Sequence, residues 1–513
     1  MVKDFALSFL IKSVLENHQN QNIFTSYAGA GGDFSWGWAG NSLGFAVNAN
    51  DASQAIITDF GFIHQTKNGG SDWHQAYSEA ADEHPKAAAT PKKQYYTGIG
   101  MEQTTCWQVH FFDQNTVFGC FTDIKGVRSV DGGHDWSFDY SGHDQNTMYR
   151  IVKQTGADRW FGASSRIHDI YETTYITDAR LFSGISAGRV LISADKGHSW
   201  TTFRDFGRPV IWLATDPSNP DRLYAAVVDK DPANGGLWRA DGISNPATAT
   251  WTHLPNPDAN PGRIFNVHVL NDGTIVTTFS AKKSDSGSVF SNKSGVFVSL
   301  DGGQNWLDRS NPGMKYWTKD LVIDPNDATQ NTWYACVWSG WGGPANDLGR
   351  LWRTTDRGQN WQPMTAAGQF LRVSSVTIDP MDAEKMYLTT ENQGLWLTKN
   401  KSAPSPTWSL VEAYPFQHVN RVFFNPFKPA EMWVASFGNG MRVGDNCPLT
   451  AAISGPATAC EGETVTYSTT FFQNANYTWT ISGGQILSGQ GTYEVSVLWN
   501  PGANAMLSVT VSQ

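Results

Sequence analysis

Short apolar runs broken by polar turns dominate the chain. In "VIWLATDPSNPDRLYAAV" (210–227), "LVIDPNDATQNTWYACV" (321–337), "VTIDPMDAEKMYLTT" (376–390) and "VFFNPFKPAEMWVASF" (422–437), two apolar or alternating segments flank a D-P or N-P turn. That pattern predicts strand, turn, strand. It is coupled to a second stretch, which recurs as "TKNGGSDW" (66–73), "SVDGGHDW" (129–136), "SADKGHSW" (193–200), "SLDGGQNW" (299–306) and "TTDRGQNW" (354–361). Two further units, ending at Trp251 and Trp408, keep the flanks and the tryptophan and lose the middle. The predicted unit is four antiparallel strands, A to D, with the recurring stretch as the C–D hairpin.

A four-stranded unit whose tryptophans recur at intervals of 47 to 64 residues predicts a ring of blades, a β-propeller. Eight A–B–C segments begin near residues 44, 106, 147, 210, 264, 320, 374 and 420, but there are seven C–D hairpins. Closure by an N-terminal strand, "NIFTSY" (22–27), in the last blade accounts for the difference. Eight blades are therefore expected, with seven as the alternative. After "GDNCPLTA" (444–451) the pattern changes to alternation over short strands around "YTWTISGG" (477–484), an immunoglobulin-like β-sandwich signal. The expected fold is all-β, with an extension over 1–21, a propeller over 22–445 and a sandwich over 446–513.

Within the hairpin each residue type has a structural job. The acid accepts turn N–H groups, glycine takes a positive φ, and the tryptophan covers the hairpin. Asp131, Asp195, Asp301 and Asp356, with Asn68 standing for Asp in the first copy, are read as turn residues, and Trp73, Trp136, Trp200, Trp306 and Trp361 as their covers.

Composition agrees with many short strands: 513 residues carry 22 Trp, 49 Gly and 23 Pro. The net charge of −10 without a Lys/Arg block sets nucleic acid aside. No apolar run is long enough for a membrane helix. The opening "MVKDFALSFLIKSVLENHQN" reads as one face of a short helix, since Lys12 interrupts its apolar run and no small-residue cleavage site follows. Cys106 and Cys120 are expected on adjacent strands as buried thiols, and Cys447 with Cys460 is a possible bridge. No H-E-x-x-H, phosphate loop, G-x-S-x-G or dinucleotide fingerprint is present, so no metal or cofactor is expected.

The hairpin pattern S/T-x-D-x-G-x-x-W resembles the Asp-box, and the chain over about 22–445 resembles Asp-box propellers such as sialidases, sortilin-type ectodomains and xyloglucanases. The tail resembles the PKD-like modules appended to secreted bacterial proteins, which implies an exported protein, secreted or at the cell surface. Enzymes and receptors share the Asp-box, so function must come from a site.

Antiparallel blades send A–B and C–D turns to one face and B–C and D–A turns to the other, away from the boxes. On that second face, "TDFG" places Asp59 and "TDIKG" places Asp123. These resemble the T-D-x-G-G element of xyloglucanases, whose Asp is catalytic, although Phe62 replaces the second Gly and Lys125 is inserted in the other copy. Glu102 precedes strand A of the unit at 106 and completes a carboxylate set fit for glycoside hydrolysis. The long B–C insertion at 164–188 carries His168, Asp169, Glu172 and Asp178. Trp338 and Trp341 in "VWSGWGGPANDLG", with Trp36 and Trp38 in "FSWGWAG", are candidate sugar-stacking indoles. There is no arginine triad of the sialidase kind. The leading expectation is a glycoside hydrolase acting on a polysaccharide; the alternatives are a non-catalytic glycan-binding or adhesion module and a sortilin-like protein-binding propeller.

Overall fold

The computed structural model describes residues 22–34, 43–59, 61–100, 104–170, 181, 187–258, 263–280, 294–314, 317–339, 345–445, 452–460, 462–471, 475–500 and 505–512. The chain divides into two units, Met1–Leu410 with Phe416–Val443, and Val411–Pro415 with Gly444–Gln513. Residues 1–21 and Cys447 lie outside the described residues; Cys460 is exposed. Among the described residues no helix is long and apolar enough to cross a membrane.

The first unit holds a ring of seven blades. Their inner strands are Cys106–Phe111, Thr147–Lys153, Val210–Thr215, Arg263–Val269, Thr318–Ile323, Val373–Ile378 and Val419–Asn425, which define blades 1 to 7. Each inner strand packs on the next, and the last packs back on the first. Blades 2 to 6 are four-stranded antiparallel meanders and blade 7 has three strands. Cys106 and Cys120 sit buried on adjacent strands of blade 1, as expected.

Closure differs from the sequence expectation. Ile23–Phe24 does not complete blade 7 but pairs in parallel with Trp73–His74, making the sheet of residues 23–75 five-stranded. Gly44–Asn48, expected as an inner strand, is exposed along most of its length, with Phe45 47% and Val47 39% accessible. A strand between two blades must bury both faces, and this one cannot. The sheet instead reaches the ring through Tyr96–Thr97, paired antiparallel with Asp135–Trp136 at the outer edge of blade 1, and through Tyr27 and Phe34 against Phe138. Seven blades, the alternative count, is the number that closes. The seam is held by Asn420 Nδ2 donating to Cys106 O (3.0 Å), Gly440 N to Thr104 O (2.7 Å), and Trp433 packed on Trp136 and Phe111.

The recurring stretches form the C–D hairpins, with a common core of hydrogen bonds. Ser129 Oγ donates to Asp131 Oδ1 (2.7 Å), which also accepts His134 N and Asp135 N, while Gly133 N donates to Ser129 Oγ. Asp195, Asp301, Asp356 and Asn68 repeat the hydroxyl bond, with Ser193, Ser299, Thr354 and Thr66, and each accepts the N–H four residues on, while the bond made by His134 N recurs at Asp301 and is replaced by one to the backbone carbonyl at Asp195 and Asp356. Trp73 and Trp200 are buried; the indoles of Trp306 and Trp361 donate to Pro255 O (2.7 Å) and Arg309 O (2.6 Å), tying each hairpin to the preceding blade.

The second unit pairs Thr464–Ser468 with Glu494–Trp499 and Gly484–Ser488 in one sheet, and Asn476–Ser482 with Met506–Ser512 in another. Its core is built on Tyr467, Tyr477, Trp479, Val495 and Val497.

Candidate functional site

Every inner strand of the ring carries one extra residue near its start, where the ladder to the second strand slips. A β-bulge leaves its residue unpaired and re-aims the side chain. Seven bulges at equivalent positions turn Trp107, Tyr149, Ile211, Phe265, Lys319, Ser374 and Asn420 into one cavity on the ring axis. Arg150, Trp212 and Arg421, each one residue further along, and Ile170 from the 164–188 loop complete its wall. Strand A begins at the D–A turn, so the cavity opens on the face opposite the Asp-box hairpins.

The wall combines aromatic surface with charge. The Arg150 guanidinium lies 3.8 Å from the centre of the Trp212 ring, and Arg421 lies 5.4 Å from it. Trp212 is held in place by its indole N–H to Val267 O (3.0 Å). Arg421 pairs with the fully buried Asp320, whose oxygens also accept Ser375 Oγ (2.7 Å) and Asn266 Nδ2 (2.5 Å). Arg150 makes no direct ion pair among the described residues, although Asp320 is close enough to favour its charge, and its Nε has no hydrogen-bond partner. Burial, with Arg421 nearby, pushes it down to about 9. Ser374 Oγ and Asn420 Oδ1 are likewise buried without partners. His268, buried beside Asp320, is pushed down to about 4 by desolvation and so is neutral at pH 7.

At the rim, the structure brings together three sequence candidates. Asp123 sits in the B–C turn of blade 1 at φ +63°, exchanging hydrogen bonds with Asn146 (3.1 and 3.2 Å). Though exposed, its carboxyl is pushed up, by desolvation first and then by Asp169 against the pull of Asn146 and His168. His168 Nδ1 lies 2.8 Å from Asp169 Oδ2, and Asp169 also takes a positive φ of +54°. The Tyr149 hydroxyl, accepting Ile170 N (3.1 Å) and donating to Ile167 O (3.0 Å), joins this loop to the cavity.

Other candidates lie elsewhere. Asp59 belongs to the sheet outside the ring, where its Oδ1 accepts Gly61 N (2.8 Å) and Phe62 N (2.7 Å) and burial pushes its carboxyl up to about 6. The structure thus does not bring Asp59 to Asp123. Trp338 is 1% exposed, edged by Trp317 (4.7 Å) and covered by Lys319 (4.2 Å) and Arg372 (5.6 Å), so it supports Lys319 and offers no face to a sugar, contrary to the expectation of an exposed indole. Glu102, Trp36, Trp38, Trp341, Glu172 and Asp178 lie outside the described residues. Among the described residues Asp131, His134 and Asp135 are spaced to ligate a metal, but Asp131 is already committed to the turn.

Sequence reasoning missed the axial cavity. The available signal was charge inside apolar inner strands, as in "TMYRIVK", "TKDLVI" and "VNRVFFN".

No curated protein sequence matches the chain. Among solved structures it is similar to YCF48 bound to D1 peptide (11% identity, 70% of this chain and 99% of that one, TM-score 0.47). It is also similar to a GH74 xyloglucanase from Xanthomonas campestris (13% identity, 78% and 50%, TM-score 0.46) and to an ancestral GH74 enzyme (16% identity, 82% and 55%, TM-score 0.48). The chain spans about half the length of the two GH74 enzymes. Residues 447–513 match the family model of the PKD-like domain, and the C-terminal module is a PKD-like domain.

Proposed function

We propose that the protein is an extracellular glycan-binding propeller that engages a saccharide at the mouth of the axial cavity. One observation carries this reading: the cavity wall joins the aromatic side chains of Trp107, Tyr149 and Phe265 to the cationic side chains of Arg150, Lys319 and Arg421. Sugar C–H faces pack on aromatic rings, and sugar hydroxyls both donate and accept. The PKD-like module, of the kind appended to exported proteins, supports an extracellular setting.

Binding is preferred to hydrolysis because among the described residues no pair of carboxylates lines the cavity; Asp320, behind its wall, is clamped by Arg421, Asn266 and Ser375. Hydrolysis remains as a second reading because the raised carboxyl of Asp123 feels Asp169 on the same rim, the kind of acid pair such chemistry uses. Calorimetric titration of neutral and acidic oligosaccharides, with reducing ends assayed in parallel, tests both. The expected result is saturable binding, weakened about tenfold or more in Trp107→Ala, with no new reducing ends. Absence of binding to any saccharide overturns the reading. Reducing-end release that disappears in Asp123→Asn and Asp169→Asn replaces it with hydrolysis.

A further inference from the structure

We propose that the edge strand Gly44–Asn48 pairs antiparallel with the same strand of a second copy, joining two sheets into one across a two-fold axis at Phe45. The inference is independent of the glycan reading and concerns the sheet outside the ring.

The sheet of residues 23–75 has one closed edge and one open edge. Ile23–Phe24 occupies the first, and among the described residues no strand pairs with the outer side of Gly44–Asn48. An open edge offers a row of backbone donors and acceptors to any strand that matches it. Elsewhere the chain guards such edges with charge or proline: the outermost strands of blades 2, 4 and 5 carry Arg204 with Asp205, Asp308, and Pro363. The stretch "LGFAVNAN" (43–50) has neither. It displays Leu43, Phe45 and Val47 instead, 60%, 47% and 39% accessible.

The residue pattern selects the occupant. Phe45 lies opposite Ile57 and Val47 opposite Ala55, both buried, so the exposed row continues the apolar face of the sheet past the point where its cover ends. A partner strand has to extend that face with apolar side chains on the same side. This strand supplies them to itself. Residues directly opposite in an antiparallel pair share a face, and a two-fold axis through Phe45 sets Phe45 against Phe45, Leu43 against Val47 and Gly44 against Ala46. Every large apolar side chain then meets another, and the small residues fall together on the opposite face. Association stops at two copies, because the edge is used up by one partner. A junction of two short strands belongs with interfaces below about 1,200 Å², so the dimer is expected to dissociate on dilution.

Sedimentation velocity of the unmodified full chain, over concentrations from about 1 to 100 μM, is the first test. A monomer–dimer equilibrium is expected, with the dimer fraction rising with concentration. Monomer throughout overturns the proposal and leaves the edge to another part of this chain or to an extended segment of a different protein. Growth past the dimer also overturns it, since a two-fold junction closes. Phe45→Lys and Phe45→Glu, each checked for native strand content by circular dichroism, are expected to sediment as monomers when alone, because like charges then meet on the axis. Mixed together, they are expected to form a dimer again. Dimers that persist in each variant alone place the contact elsewhere in the molecule. Variants that stay monomeric even when mixed overturn the register that sets Phe45 against Phe45. The first measurement needs no substitution, so it decides the pairing even if a variant misfolds.

Discussion

Asp59 and Asp123 occupy the same short motif, and their surroundings give them different physics. Asp59 is buried in a turn that supplies two backbone donors, and desolvation outweighs them, raising its carboxyl to about 6. A raised folded value means the proton stabilises the fold below about pH 4, and that stability is lost as pH rises through about 6. Asparagine keeps the acceptor oxygen and never ionises. Asp59→Asn is therefore expected to be more stable than the parent at pH 7 to 8, by on the order of 1 kcal/mol, and equal to it near pH 4. Chemical denaturation at the two pH values measures this, and equal stability at both would contradict the account. The motif was legible in the sequence; its environment was not, because the cluster around it depends on Tyr27 and Tyr77 arriving from separate segments.

The C–D hairpin is the element most fully written in the sequence. Its acid is followed by two positive-φ residues, the first being Gly132, Lys196, Gly302 or Arg357 and the second always glycine. The first position is the less crowded: a Cβ at Gly69 meets nothing within 4 Å and one at Gly302 only Arg239 at 3.9 Å, while at Gly132 it would press on Gln114 O at 3.3 Å, and a lysine and an arginine serve at the equivalent places. The second is closed, since a Cβ at Gly133 (φ +96°) would lie 2.5 Å from Trp433 across the ring seam. Gly133→Ala is expected to destabilise by on the order of 2 to 3 kcal/mol, combining backbone strain with a clash against a buried indole, whereas Gly132→Ala stays within about 1 kcal/mol. Thermal and denaturant unfolding of the pair decides it. The bulges, by contrast, have no local signature: the extra residue is unremarkable in "MYR" or "VSS", and only pairing with the neighbouring strand reveals that it is extra.

For the whole molecule, the decisive fact is where the ring closes. Blade 7 meets blade 1 through bonds such as Asn420 to Cys106 and Arg442 to Gly100 (2.7 Å), and the sheet of residues 23–75 stays outside. A chain beginning at residue 94 is therefore expected to keep a cooperatively unfolding ring with native strand content by circular dichroism, at reduced stability because Phe138 loses its cover from Tyr27 and Phe34. Collapse of that chain into an unfolded state would mean that closure needs the earlier segment. The sequence by itself determined the repeating unit, the turn chemistry of its hairpins and the change of module near residue 446, because strand alternation and turn residues act over a few neighbouring positions. Tertiary structure decided the blade count, the exclusion of Asp59 from the ring and the gathering of Arg150, Lys319 and Arg421 around one axis. Those depend on contacts between residues hundreds of positions apart, where a strand with the right local pattern joins the ring only if both its faces find a neighbour.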